Sequence, residues 1–511
     1  MRDIQNKKDV EMSYGHYIRN MNKLTAKFTP ENYDGPQQRL YAKDVDCPPV
    51  WKGKLAEIIP QCTWYLHPKA DLMSSLPGPA RAENMMCYIG HEGTYTPAHK
   101  EMCASLGQNI MVHTSSGAGK EPGSSIWFMT NSGDRELVAE YWLAHMGHDI
   151  EVEAHFASIA DLQDAPFQVY IHEQKLGDYI LVPPQAPHQV WNRGETTMKA
   201  AWNRTTVDTL ERAVAESLPK ARLVCRDEQY KNRAIIHETL RKYSNTMNGG
   251  VDRHSPGVEK IMNDFPRLFQ LFHRLLLGEC FASDRKQPIV EKIENEYNVQ
   301  CSFCRANIWN RFLTCKTCVR EAPDGDEDCY DICLDCYARG RSCYCVSNLD
   351  WVEQHDWMQL ESQHEEFRQH VVRINSGVST AAVPLRLHKA LERFEAGGKT
   401  LAAVCQEQLA IRPWVDIQKN GLEDEVCSCP GSPEHVLTAQ QEVDDEDTVQ
   451  KKKRLGQSTV CHVCRVRHDT WKCAQCSTCA KAYCYGNLWR AFDMDPFDDV
   501  SSPSPLTNPH H

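Results

Sequence analysis

Three side chains able to bind one metal ion constrain this chain more than any other feature. His99 and Glu101 are separated by a single residue, and His188 follows 87 residues after Glu101. Two imidazoles and one carboxylate form the ligand set that holds non-haem Fe(II) and leaves positions open for a 2-oxo acid and O2. Gly177-Asp178 predicts a tight turn into the apolar strand Tyr-Ile-Leu-Val, which ends at two prolines just before His188. The spacing therefore predicts a triad of His99, Glu101 and His188 carried by strand ends.

Short apolar runs around these residues predict a β-rich domain. Between residues 40 and 206 they alternate with glycine, proline and asparagine turns, and their length and composition are typical of strands. Segments 137–143 and 152–159 have helical spacing instead. This mixture predicts a barrel with helical insertions. The predicted strands are 109–113, 125–130, 167–172, 179–182 and 197–202.

The motifs in this region resemble those of the JmjC (jumonji) domain. They are Leu-Tyr-Ala-Lys-Asp at 40–44, Tyr-Ile-Gly at 88–90, Thr-Tyr-Thr-Pro-Ala-His-Lys-Glu at 94–101, Asn109, and the segment 177–192. The resemblance spans residues 39–208. It implies a cupin-type double-stranded β-helix and an oxygenase that uses Fe(II) and 2-oxoglutarate; many members are histone lysine demethylases. It also implies that Thr96 and Asn109 contact the cofactor and that Tyr88 lines the substrate cleft.

One position departs from the pattern of the family. Jumonji demethylases usually carry a basic residue, paired with the distal carboxylate of 2-oxoglutarate, where this chain has Ser125. A carboxylate buried without a cation is costly. Lys199 is a candidate replacement, because strand alternation puts Lys199 and Ala201 on one face and Met198 and Trp202 on the other. Lys120, in a glycine-rich loop, is a second candidate.

The cysteines predict zinc-stabilised modules. The chain has 24 cysteines, many of them in C-x-x-C pairs, and its N-terminus lacks an apolar signal segment. Reduced thiolates on zinc therefore fit better than disulfides. The first cluster supplies enough ligands for two zinc sites. Its candidate ligands are Cys301, Cys304, Cys315, Cys318, Cys333, Cys336, Cys343 and Cys345.

Residues 295–350 resemble a ZZ-type zinc finger. The resemblance implies that Cys301, Cys304, Cys333 and Cys336 hold one ion, while Cys315 and Cys318 belong to a second. The family completes that second site with histidines. Here Cys343 and Cys345 are the candidates, with His355 and Cys329 as alternatives. ZZ fingers bind short peptide segments, so a histone tail or another chromatin protein is an implied partner.

A second cysteine cluster lies near the C-terminus. With His462 or His468 as possible further ligands, it could hold one or two zinc ions, and it looks like the cysteine-rich finger of some nuclear jumonji and repressor proteins. Its cysteines are Cys461, Cys464, Cys473, Cys476, Cys479 and Cys484.

The chain as a whole is predicted to be an α+β multidomain protein. No stretch of 18 apolar residues occurs, so no membrane span is expected. The basic run 451–454 is a candidate nuclear import signal. The predicted segments are an N-terminal lead-in (1–38), the JmjC cupin domain (39–208), a helical cap (209–285), the ZZ-like finger (295–350), a helical region (351–415), an acidic and basic linker (416–460), the C-terminal finger (461–490) and a disordered tail (491–511).

These features lead to one principal hypothesis and two alternatives. The principal hypothesis is a nuclear Fe(II)/2-oxoglutarate oxygenase that demethylates lysine in a histone tail or another methylated protein. The alternatives are a catalytically silent scaffold that recruits chromatin proteins through its fingers, and an oxygenase that hydroxylates protein or RNA. The net charge of −12 excludes a globally basic nucleic-acid binder, so any DNA contact would need a local patch.

Overall fold

The computed structural model divides the chain into two compact units. The first comprises Met1–Leu271 with Cys304–Asn307, and the second comprises Phe272–Phe303 with the chain from Ile308 onward. Among the described helices, none has the length and apolar character needed to cross a bilayer. The structure describes residues 1–29, 32–33, 35–115, 121–249, 256–295, 297–321, 327–343, 345–376 and 383–412, together with the backbone of 459–460, 467–468, 473–475 and 482–484.

Two antiparallel sheets form the body of the first unit. The larger has the strand order β2-β1-β3-β4-β11-β6-β9, and the smaller has the order β5-β10-β7-β8. This arrangement, with its mixture of helices, confirms the predicted cupin-type double-stranded β-helix. The strands are β1 (Arg2–Asp3), β2 (Lys8–Asp9), β3 (Leu40–Asp46), β4 (Met86–Gly90), β5 (Tyr95–His99), β6 (Leu106–Ser115), β7 (Ser124–Thr130), β8 (Val169–Gln174), β9 (Tyr179–Val182), β10 (His188–Arg193) and β11 (Thr196–Arg204).

Alternation along β11 separates the hydrophobic core from the inside of the barrel. Ala200 and Trp202 are buried in a core cluster, and Met198 packs against it. Side chains of adjacent residues in a strand point to opposite faces, so Lys199 points the other way. Residues from the smaller sheet and β9, including Trp127, Val182 and Val190, form a separate cluster. On its own face of β11, Lys199 meets the polar side chains of Ser125 and Asn192.

The N-terminal segment packs against the larger sheet. The first 38 residues were expected to be a partly ordered lead-in, yet β1 pairs with β3 and Tyr17 is fully buried. The Tyr17 hydroxyl donates to the carbonyl oxygens of Leu40 (2.7 Å) and Ile89 (3.0 Å). Tyr17, Met21 and Leu24 lie in the core cluster with β3 and β4. This helical segment therefore closes one side of the larger sheet.

The helices of the first unit agree with the sequence except at one place. The prediction of a helix over 152–159 was wrong: a 3-10 turn ends at Val152, Glu153 has a left-handed φ of 56°, and the next helix starts at Ile159. Ser158 caps that helix in a capping box with Asp161. The helices are α1 (Tyr14–Arg19), α2 (Met21–Thr25), α3 (Pro49–Ile58), α4 (Arg135–Ala144), α5 (Ile159–Gln163), α6 (Val207–Arg212), α7 (Leu218–Leu223), α8 (Asn232–Asn248) and α9 (Pro256–Glu279), whose last residues belong to the second unit.

The second unit combines a small sheet with helices. Its strand order is β12-β15-β13-β14, with β12 and β15 parallel and the other pairs antiparallel. Its elements are β12 (Val290–Lys292), β13 (Phe312–Glu321), β14 (Glu327–Cys333), α10 (Leu334–Ala338), β15 (Asp350–Glu353), α11 (Trp357–Asn375), α12 (Leu387–Glu395) and α13 (Leu401–Ile411).

The C-terminal cysteine cluster lies outside the part of the chain whose side chains the structure describes. In this region only backbone pairing is described, with Cys473 opposite Cys484 between 473–475 and 482–484. The prediction of zinc binding by Cys461, Cys464, Cys473, Cys476, Cys479 and Cys484 stays a prediction. The same holds for Lys120, the linker, the basic run 451–454 and the tail.

Candidate active site

The three residues of the predicted triad come together at the end of the smaller sheet. His99 closes β5 and His188 opens β10, and the two residues face each other directly in the antiparallel pair. Glu101 follows two residues after His99, where the chain leaves the strand. The ligand atoms of the three side chains all lie within 4.8 Å of one another, and His188 Nε2 is 3.5 Å from Glu101 Oε1. Metal–ligand bonds of about 2.1 Å at right angles would put ligand atoms about 3 Å apart, so the group fits one ion.

Both imidazoles are fixed in the orientation that a metal requires. His99 Nδ1 lies 2.8 Å from the carbonyl oxygen of Pro97, and His188 Nδ1 lies 2.9 Å from that of Ala186. A hydrogen bond from Nδ1–H to a backbone carbonyl leaves Nε2 unprotonated and available as the ligand atom. Burial lowers the pKa of His99 well below its ordinary value, with the neighbouring His188 contributing. The neutral imidazole, which is the metal-binding form, is therefore favoured.

Glu101 is oriented by a side chain that no pattern in the sequence singles out. Asn203, near the end of β11, donates from Nδ2 to Glu101 Oε2 at 2.7 Å. Asn203 is itself held by a pair of hydrogen bonds with Asn84, of 2.6 and 2.9 Å. At Gly107 a Cβ would lie 2.7 Å from Glu101 Oε1, so the absence of a side chain there leaves room for the carboxylate. The Asn203 bond leaves Glu101 Oε1 facing His188.

Lys199 lies inside the barrel beside Ser125. Its Nζ donates to Asn192 Oδ1 (2.8 Å) and to Ser125 Oγ (3.1 Å), so it reaches from the larger sheet to two strands of the smaller one. Lys199 is 2% exposed, and desolvation lowers its pKa to about 7. Within the described residues, no carboxylate forms an ion pair with it. A buried lysine with only neutral partners is suited to receive an anion.

The other predicted cofactor residues, Thr96 and Asn109, also lie in the barrel. Thr96 sits on β5 opposite Val190. Asn109 Oδ1 accepts a hydrogen bond from Gln174 Nε2 at 3.0 Å, and Gln174 Oε1 accepts from Trp127 at 2.8 Å. The Trp127 ring stacks on His188, with ring centroids 5.6 Å apart. One hydrogen-bonded chain therefore runs from Asn109 to the ring that supports a triad histidine.

Tyr88, the predicted substrate contact, lies beside a tyrosine that sequence reasoning missed. The Tyr88 hydroxyl donates to Asp44 Oδ1 at 2.8 Å, and its ring centroid lies 6.3 Å from that of Tyr41. Tyr41 is fully buried, and burial raises the pKa of its hydroxyl to about 12 despite the opposing effect of nearby Asn192 and Thr96. Tyr41 stands in the 40–44 motif, which was the available signal.

The first cysteine cluster forms the two groups of four expected from the sequence. In each group the sulfur atoms all lie within 4.8 Å of one another. Zinc–sulfur bonds of about 2.3 Å in a tetrahedron put sulfur atoms about 3.8 Å apart, and Cys318 Sγ to Cys345 Sγ measures 3.7 Å. Both groups are therefore compatible with closed zinc sites. One group is Cys301, Cys304, Cys333 and Cys336, and the other is Cys315, Cys318, Cys343 and Cys345.

The two alternative ligands for the second zinc site lie elsewhere. His355 Nε2 is 3.0 Å from Asn295 Nδ2, and its ring lies 5.3 Å from that of Trp309. Cys329 is absent from both groups of four. Of the alternatives left open by the sequence, the geometry favours Cys343 and Cys345.

Comparison with known proteins agrees with this geometry. Residues 86–203 match the family model described as "JmjC domain, hydroxylase", and this range contains the triad and Lys199. The chain therefore carries a JmjC domain, of the superfamily of Fe(II)/2-oxoglutarate oxygenases, as its motifs indicated.

One similar protein is C-module-binding factor A of Dictyostelium discoideum. It is 31% identical over 328 residues, which cover 60% of this chain and 32% of the relative. The chain thus spans about a third of the length of this curated relative, and the similarity extends well beyond the JmjC match.

Proposed function

We propose that this chain is an active oxygenase in which His99, Glu101 and His188 hold Fe(II) and Lys199 receives the distal carboxylate of 2-oxoglutarate. The observation that carries the proposal is the buried, uncompensated lysine inside the same barrel as a preformed triad. When bound, iron and 2-oxoglutarate supply the oxidation of a C–H bond by O2. The protein orients the ligands through Asn203 and the two backbone carbonyls, and Ser125 with Asn192 holds the Lys199 ammonium in place.

For the substrate, we propose a methylated lysine in a histone tail or another protein. Removal of the methyl group would follow its oxidation. The support is the pair formed by Tyr88 and Asp44, because an aromatic ring beside a carboxylate attracts a methylated ammonium group.

For location and partners, the proposal is a nuclear protein that contacts chromatin proteins through its cysteine modules. The support is the two groups of four cysteines, which are compatible with zinc, and the basic run 451–454. The relative's name describes a factor that binds a C-module, and direct nucleic-acid contact by this chain would require a local positive patch, given its net charge of −12.

Hydroxylation of a protein or RNA is the second candidate. It is favoured by the description of the matching family model, which names a hydroxylase. Demethylation and hydroxylation share the triad and Lys199, so they differ only in the product. The silent-scaffold alternative rested on Ser125 in place of the usual basic residue, and Lys199 Nζ, 3.1 Å from Ser125 Oγ, supports activity instead because it offers a cation at that position.

The test is turnover of 2-oxoglutarate by the full chain with Fe(II), ascorbate and a panel of histone-tail peptides carrying methylated lysines. The expected result is succinate formation together with formaldehyde, and neither with His188→Ala. A product heavier by one oxygen, without formaldehyde, would favour hydroxylation. Absence of 2-oxoglutarate consumption with every peptide, in protein shown to contain iron, would contradict the proposal. That result would favour the catalytically silent scaffold.

A further inference from the structure

Gln185 occupies a strained turn three residues before His188. The Ala186 N–H donates to the Pro183 carbonyl at 3.2 Å, Pro184 follows Pro183, and Gln185 has φ +59°. These are the features of a type II turn, whose third position favours glycine because its φ is positive. A side chain kept in such a conformation beside a metal ligand points to a functional role.

The turn is fixed by contacts on both sides. The Thr130 N–H donates to the Pro187 carbonyl at 2.9 Å, and the Ser132 hydroxyl donates to the Pro184 carbonyl at 2.9 Å. These bonds tie the turn to the end of β7 and the residues after it. The backbone at Gln185 therefore cannot relax without breaking them, and the side chain is held in a defined direction.

The carboxamide of Gln185 is buried without a hydrogen bond. The residue is 2% exposed, and neither its Oε1 nor its Nε2 has a hydrogen-bond partner among the residues that the structure describes. Burying a donor and an acceptor without partners destabilises a folded protein. Such a group in a native structure calls for a ligand or ordered water that satisfies it.

Gln185 lines a narrow cleft that shares a wall with the triad, because Glu101 also lines it. Most charged groups of this cleft have partners within the protein. Lys100 pairs with Glu151, and Arg226 pairs with Glu153 at 2.8 Å. Glu228 Oε1 accepts from the Asn232 N–H at 3.0 Å, and Asp227 accepts from Arg305 at 2.9 Å. Apart from Glu101, the polar atoms of this wall that are buried without a hydrogen-bond partner among the described residues are the two of the Gln185 carboxamide and Glu228 Oε2, so Gln185 is the group that can both donate and accept.

We propose that Gln185 is a positioning residue that binds an amide group of the substrate next to the metal. The carboxamide offers an acceptor oxygen and N–H donors, and another amide offers the complementary donor and acceptor: a primary carboxamide presents both on one edge, and an extended peptide presents the N–H and C=O of one residue side by side. The amide is either a main-chain peptide group or the side-chain carboxamide of an asparagine or glutamine. Binding in this cleft would hold a polypeptide beside Glu101. That the bound amide belongs to a substrate rests on the proposed function, whereas amide binding itself is tested without turnover.

The test uses small amides as probes of the full chain labelled with 15N at the glutamine side chains. N-methylacetamide represents a peptide group, acetamide represents a side-chain carboxamide, and N,N-dimethylacetamide accepts a hydrogen bond but cannot donate one. The resonance of Gln185 is identified as the one that disappears in Gln185→Met. Gln185→Glu is used for the same assignment if Gln185→Met does not fold. A saturable shift of this resonance is expected with N-methylacetamide or acetamide, at least about tenfold tighter than with N,N-dimethylacetamide. No saturable shift, or equal affinity for all three amides, overturns the inference.

Thermal unfolding gives an independent readout. Gln185→Met keeps the strained backbone and the size of the side chain but removes the unpaired amide, so its melting temperature should rise. Gln163→Met, at an exposed glutamine of α5, is the matched control and should leave it unchanged. A fall for Gln185→Met would mean that the amide is satisfied inside the protein, which contradicts the inference. Amide binding without any 2-oxoglutarate consumption would refute the proposed function alone, and turnover without amide binding would refute the inference alone.

Discussion

The triad and the cysteine groups hold their residues together in opposite ways. His99 and His188 face each other because two strands of a sheet pair in register, and their rings are oriented by the backbone carbonyls of Pro97 and Ala186. The cysteines of the two groups come from strands, turns and one short helix, in a region whose sheet has only four strands. In the first case the fold creates the metal site. In the second, the metal is expected to create the fold.

This difference explains what each site can do. A site with three protein ligands leaves coordination positions for a cofactor and O2, whereas four thiolates fill a tetrahedron and leave none. The triad also shares its barrel with polar side chains, including Lys199 and Asn109, that could contact a cofactor. In each cysteine group the ligand atoms are four sulfur atoms. Removing a ligand should therefore abolish chemistry in the first unit and folding in the second.

The largest expected effect is on stability, from Cys333→Ser. Structural zinc contributes roughly 10–16 kcal/mol in small zinc-finger domains, so loss of one of four thiolates should unfold the surrounding segment. We expect zinc content to fall and proteolysis to cut within 295–350. Cys62→Ser, at an exposed cysteine of the first unit, is the control and should change neither. Full zinc content and unchanged protease resistance in Cys333→Ser would contradict the expectation that zinc creates the fold of this segment.

The next largest effect is on activity, from His188→Ala. Loss of one of three ligands should reduce 2-oxoglutarate turnover to background, because the remaining two groups hold Fe(II) weakly. The melting temperature should change less than in Cys333→Ser, since the strands of the barrel pair without a metal. His172→Ala, on the exposed face of β8, should retain activity. An unfolded His188→Ala protein would mean that the triad metal also creates its fold.

Lys199→Met should separate binding from stability. Leaving the distal carboxylate of 2-oxoglutarate without a cation should weaken its binding by about 100-fold or more. The ligand-free variant should unfold at a higher temperature, because a buried ammonium with a depressed pKa costs on the order of a few kcal/mol. Lys175→Met, at an exposed position, should affect neither quantity. Calorimetric titration and thermal unfolding measure the two effects, and unchanged affinity would exclude Lys199 from the cofactor site.

The lowered pKa of Lys199 predicts that 2-oxoglutarate binding depends on pH. The pKa of Lys199 is lowered to about 7 by burial, so in the free protein the ammonium loses its proton as pH rises through 7. A carboxylate binds the charged form, so the apparent Kd should be lowest below pH 7 and rise by about tenfold for each pH unit above it. Lys199→Met should remove this slope. A wild-type affinity that is constant from pH 6 to 9 would contradict the assignment.

The smallest effect is expected from Asn203→Ala. This change removes the hydrogen bond that orients Glu101, and the loss of such a partner typically weakens metal binding by roughly 10- to 100-fold. Asn203→Asp should weaken metal binding more than Asn203→Ala does, because it adds a negative charge next to the Glu101 carboxylate. Metal titration followed by iron content checks both variants. Equal affinities in the wild type and both variants would mean that the strands alone position Glu101.

The sequence predicted residues whose position depends on strand alternation or on short local motifs. Lys199 was correctly assigned to the face opposite Met198 and Trp202, because alternation in β11 allows no other arrangement. The cysteine groups followed from C-x-x-C spacing. Asn203 could not be selected in the same way, because it meets Glu101 across 102 residues of chain and an asparagine near a strand end has no distinguishing pattern.

One local error had a signal that was present but weaker than the one used. The segment 152–159 has helical spacing, yet Ser158 and Asp161 form the capping box that starts a new helix there. In the N-terminal segment, Tyr17, Met21 and Leu24 have the spacing of one helical face, which the surrounding polar residues obscured. Gln185 had no signal in the sequence, because its positive φ depends on how the proline turn is tied to the rest of the barrel.

The most direct test of the account compares 2-oxoglutarate with 2-oxovalerate, which has a methyl group in place of the distal carboxylate. Both are titrated into the full chain loaded with Mn(II) under anaerobic conditions, for the wild type and Lys199→Met. If the triad and Lys199 form one cofactor site, the wild type should bind 2-oxoglutarate about 100-fold more tightly than 2-oxovalerate, and Lys199→Met should hardly distinguish the two compounds. Equal affinity of the wild type for both compounds would contradict the claim that the triad and Lys199 form one cofactor site.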